Sequence, residues 1–147
     1  MSEPGFSLRS YQPDVAKHAH NHHQLVLPIA GQLTLQIEAQ EGYADAQHLA
    51  VIPAGHTHAF AGSDKNRFIV VDLPEFHAPS LTALPAFLPI HTPLQHYIQF
   101  MSALLAHPSS VPTATTLDLL LQLLHQHTAG SLHDTRMHAI ARSIRNR

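Results

Sequence analysis

Histidine side chains gather at two places in this 147-residue sequence. Residues 18–24 read HAHNHHQ, and residues 53–58 read PAGHTH. His18 and His20 are two positions apart, so an extended strand would direct both side chains to the same face. Two imidazole nitrogens on one strand face make half of a transition-metal site, and the second segment offers the other half.

The composition limits the classes of protein that this chain could be. Hydrophobic residues make up 44% of the sequence and charged residues 12%, which is typical of a globular chain with one principal core. There is no cysteine, so disulfides and thiolate metal sites are excluded. No apolar run reaches membrane-spanning length and no signal peptide is recognisable, so we expect no membrane partner and a cytoplasmic location.

Basic residues are few and concentrated at the C-terminal end. Four of the eight lie in the last twelve positions, namely Arg136, Arg142, Arg145 and Arg147. The preceding residues carry an excess of acidic side chains. Because nucleic-acid binding needs clustered Lys and Arg, we expect no DNA contact from the body of the chain.

Short apolar segments separated by turn residues follow one another through the first half of the sequence. Leu25–Ile29 is a continuous apolar run, and 32–40 alternates apolar and polar residues, as a half-buried antiparallel strand does. Gly31 between them predicts a hairpin. Further short strands are predicted over 43–46, 48–52, 56–60 and 66–73. Such spacing indicates a small antiparallel barrel or sandwich.

The second half of the chain is helical in pattern. Residues 74–93 contain five prolines and predict a loop-rich connector. A helix should begin at Pro93 with Thr92 as its N-cap, and a second should run from about Thr115 to His127. The second carries more leucine than one packing face needs, so we expect a two-fold homodimer. The leucines expected near the axis are Leu119, Leu120 and Leu123.

A third helical pattern starts at Asp134, which is a good N-cap residue. Its apolar stripe has no evident partner in this sequence. We therefore interpret the chain as a fragment that ends inside the first helix of a following domain.

The two histidine segments resemble the two cupin motifs. His18-x-His20, then Gln24 and Gly31 at the expected intervals, is similar to the first motif, with Gln24 in place of the usual Glu. Pro53-x-Gly55-x-x-His58 is similar to the core of the second, whose closing Asn is Gly62 here. The resemblance implies a mainly β fold, a double-stranded β-helix or jelly-roll-like antiparallel barrel, followed here by a pair of helices.

The resemblance also implies a set of ligands for one divalent ion: His18, His20, Gln24 and His58. Imidazole donors favour a transition metal, and Zn or Ni is the expected cofactor. Gln24 is an uncharged donor, so a Glu in its place should bind the ion more tightly. His22 shares the parity of His18 and His20 and competes with Gln24 for the fourth position, whereas His23 and His56 should be peripheral. A pocket lined by these side chains without metal is the other reading.

The order of elements resembles the N-terminal part of an AraC-type transcription regulator. This resemblance implies a cupin sensor over residues 5–73, a connector over 74–93, dimerisation helices over 94–130 and the start of a helix-turn-helix domain over 134–147. The chain would bind a small-molecule effector or metal ion, dimerise, and contact DNA only through a C-terminal domain absent from it. We expect no catalytic residues and no enzyme activity. The alternative is a free-standing metal-dependent cupin enzyme, such as a dioxygenase or isomerase.

Overall fold

The computed structural model describes residues 4–13, 16–74, 79–107 and 111–138. Nine strands precede two helices in these ranges: β1 (Gly5–Arg9), β2 (Ala16–His18), β3 (His22–Ala30), β4 (Leu33–Ile37), β5 (Gln40–Ala44), β6 (His48–Ile52), β7 (His58–Gly62), β8 (Arg67–Pro74), β9 (Phe87–Pro89), α1 (Thr92–Leu105) and α2 (Thr113–His138). A 3₁₀ turn covers Pro79–Ala83. In the part of the chain described, neither helix has the length and apolar character needed to cross a membrane.

The strands form two antiparallel sheets with a jelly-roll order. One sheet runs β1-β8-β3-β6-β9 and the other runs β2-β7-β4-β5. Successive strands therefore pass repeatedly from one sheet to the other, as in the two interleaved Greek keys of a jelly roll, an architecture that cupins share. The predicted fold class, a mainly β cupin-like chain with two C-terminal helices, is confirmed.

The two sheets enclose one apolar core. Residues two apart on a strand share a face, so β4 directs Leu33, Leu35 and Ile37 to the interior while Thr34 and Gln36 stay exposed. Opposite them, the other sheet contributes Val26, Ala50, Ile52 and Phe68 to the same cluster. The alternation predicted for this strand is thus confirmed, and it defines which face of every neighbouring strand looks inward.

The predicted hairpin between β3 and β4 is wrong. The turn lies where the sequence indicated, with Gly31 at φ 78°, but the two strands belong to different sheets. β3 pairs with β6 and β8, whereas β4 pairs with β5 and β7, so each strand already has a neighbour on both edges. A side chain at Gly31 would collide with the Lys65 carbonyl, which makes glycine necessary at this crossing between sheets.

The proline-rich connector is more ordered than predicted. Its residues Phe87–Pro89 form β9, which pairs with β6 at the edge of the five-stranded sheet. The Phe87 ring packs on Gly42, where a Cβ atom would lie 2.8 Å from the ring. The sheet therefore extends past residue 73, and only two residues separate β9 from α1.

The helices differ from the prediction at their ends. The N-cap of α1 is His91 instead of Thr92, and its side chain accepts a hydrogen bond from the Leu94 amide. The buried face of α1 is formed by Leu94, Tyr97, Ile98 and Met101, whose spacing of three and four residues places them on one side of the helix, and α1 packs against β3.

The second helix is longer than expected, because α2 continues through Gly130 and Asp134, where an end and a new start were predicted. Residues up to Thr113 and residues from Ala114 form two separate compact units. On α2, Leu117, Leu120 and Leu124 are buried, whereas Leu119 is 46% exposed. The expected homodimer, with Leu119, Leu120 and Leu123 near its axis, stays a prediction. The arginines at 142, 145 and 147 lie outside the described residues.

Candidate functional site

Three of the predicted ligands meet at one end of the jelly-roll interior. The ring centres of His18 and His20 are 5.9 Å apart, those of His18 and His58 5.9 Å, and those of His20 and His58 5.2 Å. Three imidazoles bound to one ion by bonds of about 2.0–2.1 Å have ring centres roughly 5 Å apart. The prediction that these three rings converge is confirmed, while their role as ligands stays a prediction.

We call His18, His20 and His58 the histidine cluster. The backbone places His20 in this cluster in a way that differs from the prediction. β2 ends at His18, so His20 lies in the loop before β3 and not on the same strand face. This loop is held by a backbone hydrogen bond of 2.6 Å from the Gly55 amide to the His20 carbonyl. Gly55 has φ 86°, a conformation that glycine adopts without strain. The turn of the second motif thus positions a histidine of the first.

His58 is fixed by pairing on both sides of β7. It lies opposite His18 on β2 and opposite Ile37 on β4, which places its side chain on the inner face. The preceding loop is closed by two bonds between Thr57 and Glu38: the Glu38 amide donates to the Thr57 carbonyl, and the Thr57 amide donates to the Glu38 carboxylate. The side chain of His58 therefore stands on a rigid part of the scaffold.

The buried ring of His58 has one nitrogen engaged and one unengaged. Its Nδ1 lies 3.4 Å from the His56 carbonyl oxygen. Its Nε2 is buried and has no hydrogen-bond partner among the described residues. A proton on Nδ1 leaves the lone pair of Nε2 directed into the cluster, which is the state that a metal ion or a hydrogen-bond donor requires.

The surroundings keep His58 and His20 neutral. Burial is the main cause that lowers the pKa of His58, and the neighbouring His20 and His18 lower it further, against the His56 hydrogen bond, which raises it. Burial also lowers the pKa of His20, followed by the effects of His22 and His18. Neutral imidazoles are the form that binds metal ions.

The side chain of Gln24 lies on the same inner face, but its hydrogen bond is made to Asp72 and not to the three histidines. It is 6% exposed, and its Nε2 donates a 2.9 Å hydrogen bond to Oδ1 of Asp72 on the neighbouring strand β8. The same oxygen lies 3.3 Å from Nε2 of His22, whose ring stacks on that of His20 at 4.9 Å. Gln24 is thus connected to the cluster through Asp72 and His22.

Asp72 is the site residue that the sequence interpretation missed. It lies in the apolar run of β8, directly opposite Gln24 in the strand register, and Arg9 on β1 approaches its second oxygen at 3.8 Å. The only signal in the sequence was a single carboxylate within FIVVDL at 68–73. Its position beside Gln24 depends on a pairing between strands nearly fifty residues apart.

His22, left as an alternative to Gln24, stacks on the histidine cluster, whereas His23 does not. His23 is buried on the opposite face of β3, and its Nδ1 accepts a hydrogen bond from the Ala54 amide. It therefore ties β3 to the 53–55 turn. His56 is exposed and contributes its backbone carbonyl rather than its ring. Both are peripheral to the cluster, as predicted.

The cluster has the donors for a metal ion but not their final orientation. Among the described residues, no three His, Asp or Glu side chains already direct donor atoms at one point. The rings of His18 and His20 are stacked, with an angle of 11° between their planes. Coordination would need rotation of these two side chains, and both are solvent-accessible enough to rotate. Under that condition His18, His20 and His58 fit an ion, with Gln24 or His22 as a fourth donor.

No protein-family model matches this chain. One similar curated protein is "Uncharacterized HTH-type transcriptional regulator YobQ" of Bacillus subtilis (strain 168), 25% identical over 138 residues. The match covers 91% of this chain and 57% of that protein, so the chain spans little more than half of its relative's length.

Two similar solved structures each match about half of this chain. The EutQ protein of Clostridium difficile is 25% identical over 48% of this chain and 56% of that one, with a TM-score of 0.44. A cupin-2 domain containing protein from Shewanella frigidimarina is 19% identical over 50% and 72%, also with a TM-score of 0.44. The fold assignment rests on the strand order of the two sheets.

Proposed function

We propose that this chain is the effector-sensing and dimerisation part of an AraC-type transcription regulator, with the histidine cluster as its sensing site. The observation that carries the proposal is the meeting of His18, His20 and His58 around a buried nitrogen without a partner in the described residues. The relative's name, an HTH-type transcriptional regulator, supports a regulatory role. In this proposal the jelly roll acts in the cytoplasm, catalyses no reaction, and leaves DNA recognition to another domain.

The sensing site would take one divalent ion, Zn or Ni, through His18, His20, His58 and Gln24. Neutral imidazoles and an amide oxygen suit such an ion better than Mg or Ca, which prefer sets of oxygen donors. The ion would serve either as the signal itself or as an anchor for polar atoms of a small effector. The uncharged fourth donor favours binding over redox chemistry, since non-haem iron enzymes use two histidines and a carboxylate.

A direct structural route leads from the site to the first helix. Gln24 on β3 lies opposite Ile52 on β6, and the other end of β6 pairs with β9. α1 begins shortly after β9 ends. A ligand that moves β3 relative to β6 would therefore act on α1 through paired backbone. Such a ligand shifts the regulator only by the difference in its affinity for two arrangements.

The metal hypothesis is tested by elemental analysis of protein purified without a metal column or chelator, followed by titration calorimetry with Zn and Ni. We expect about one ion per chain in the wild type and a loss of affinity of at least 100-fold in His20→Ala. His96→Ala removes an exposed histidine from α1 and serves as the control, with unchanged affinity. A wild type that stays metal-free after addition of both ions would refute the metal site.

Dimerisation is tested separately by sedimentation equilibrium with and without the ion. We expect Leu119→Asp to weaken the dimer, because it places a charge on an exposed leucine of α2. Gln126→Asp adds the same charge at another exposed position of this helix and should leave the dimer intact. An ion that binds without changing the dimerisation constant of the wild type would exclude the ion as the signal itself and leave it as an anchor for an effector or as the cofactor of an enzyme.

A further inference from the structure

The pair formed by Gln24 and Asp72 contains the negative charge that the first motif lacks, because Gln24 stands where the motif usually has Glu. An amide at position 24 cannot offset a divalent ion, and a carboxylate is the usual group there. The structure places a carboxylate one hydrogen bond away, because Asp72 Oδ1 accepts the Nε2 proton of Gln24 at 2.9 Å. The negative charge that Gln24 lacks is thus present on the adjacent strand.

The hydrogen bond also determines which end of the amide faces the cluster. A carboxylate oxygen only accepts hydrogen bonds, so the NH₂ group of Gln24 must be the end that faces Asp72. The amide oxygen is then the end left for a cation. Gln24 is almost fully buried, and β-sheet pairing holds its backbone opposite that of Asp72, so this orientation has little freedom.

Asp72 contacts the side chains of Gln24 and His22 through the same oxygen. His22 approaches the same oxygen that Gln24 bonds, and Arg9 approaches the other oxygen from a partly exposed position. The Arg9 contact of 3.8 Å is too long for a hydrogen bond and is screened by solvent. The bond to Gln24 is therefore the closest and most buried of these three contacts.

We propose that Asp72 is a positioning residue of this site: it orients the Gln24 amide so that its oxygen can bind a cation, and it supplies the negative charge through that bond. The proposal rests on the proposed metal site. Removal of a carboxylate that hydrogen-bonds to a metal-binding side chain typically weakens metal affinity about 10- to 100-fold. The sequence alone led us to expect that Gln24→Glu would bind the ion more tightly. The structure revises this expectation, because the substitution alone would place the carboxylates of Glu and Asp72 at hydrogen-bond distance.

The test is an exchange of the two groups, measured as Ni affinity by calorimetry and as the thermal midpoint of metal-free protein. We expect Asp72→Asn to weaken Ni binding about 10- to 100-fold, although it leaves His18, His20 and His58 intact. In metal-free protein Gln24→Glu should lower the thermal midpoint. The double variant Gln24→Glu/Asp72→Asn restores one carboxylate and one amide, and should recover both the midpoint and at least the wild-type affinity. Asp64→Asn removes an equal charge from the exposed β7–β8 turn and should change neither.

The outcomes separate this proposal from the metal site itself. If Asp72→Asn binds Ni as tightly as the wild type while His20→Ala does not bind it, the site is real and the role of Asp72 is refuted. A double variant no better than Asp72→Asn alone would also refute it, because the charge and orientation would not be exchangeable. A wild type that does not bind Ni or Zn refutes the metal site, and the role of Asp72 with it.

Discussion

The two ends of the jelly-roll interior are built from the same strands but differ in chemistry. On β3, Val26 lies in the apolar core and Gln24, two residues earlier, lies in the polar end; on β7 the same step separates Phe60 from His58. β8 repeats the change between Phe68 and Asp72. Side chains two residues apart on a strand share a face. A step of two residues along β3 or β7 is therefore enough to pass from the apolar core to the polar site.

The comparison shows how the scaffold separates stability from binding. At the apolar end, the cluster is made of buried apolar side chains, and the partly buried rings of Tyr11, Phe60 and Phe87 pack against it. At the polar end, a buried nitrogen of His58 has no partner among the described residues. An unsatisfied buried polar atom costs free energy. We therefore expect substitutions at the apolar end to reduce stability, and substitutions at the polar end to reduce binding.

The largest effect is expected at the apolar end. Phe68→Ala should lower the free energy of unfolding by about 3–5 kcal/mol, because it leaves a cavity where a fully buried ring packs against the core. Urea denaturation of metal-free protein measures this loss. Tyr43→Ala removes an exposed ring from β5 and is the control, with an expected change within about 0.5 kcal/mol. A similar loss for both would mean that the interior is not the source of stability.

At the polar end, His58→Leu should abolish the stabilisation by metal while leaving the metal-free protein as stable as the wild type or more so. The leucine fills the space and removes a buried nitrogen without a partner. In the wild type, an ion at 100 times its dissociation constant should add about 2.7 kcal/mol. Thermal unfolding with and without Ni measures both quantities. Metal-free His58→Leu that is much less stable would assign His58 to the structural core.

A smaller effect concerns pH. The pKa values of His58 and His20 are lowered in the folded protein, mainly by burial, so the unfolded chain binds more protons as pH falls. Metal-free protein should therefore hold this part of its stability above about pH 6.5 and lose it as pH decreases below that value. His58→Leu should show a shallower loss between pH 7.5 and 5.5 in chelator-treated samples. Equal slopes for the two proteins would contradict the assignment.

Sequence patterns predicted the apolar end better than the polar one. The alternation on β4 and the apolar run of β3 depend on local periodicity, and both were correct. The motif spacing also predicted correctly that the rings of His18, His20 and His58 converge, but it placed His20 on a strand, whereas this residue lies in a loop. Period-two reasoning applies only within one strand, whereas the 19–21 loop is shaped by the Gly55 amide from another part of the chain.

The features that sequence reasoning missed depend on pairing between distant segments. Asp72 enters the site because β8 lies beside β3, and β9 forms because Phe87–Pro89 finds the free edge of β6. Neither pairing leaves a local signal in the residues concerned. The continuous α2 was missed for another reason: Gly130 and Asp134 resemble end and start signals, yet the helix passes through both.

If the polar end of the interior binds one divalent ion, as proposed, anomalous diffraction at the Ni edge from crystals of the Ni-loaded protein will locate it. We predict one strong peak per chain, about 2.0–2.1 Å from a nitrogen of each of His18, His20 and His58, with the Gln24 oxygen facing it. Peaks confined to exposed histidines such as His96 or His107, with none among these three rings, would show that the ion does not bind at this end of the interior.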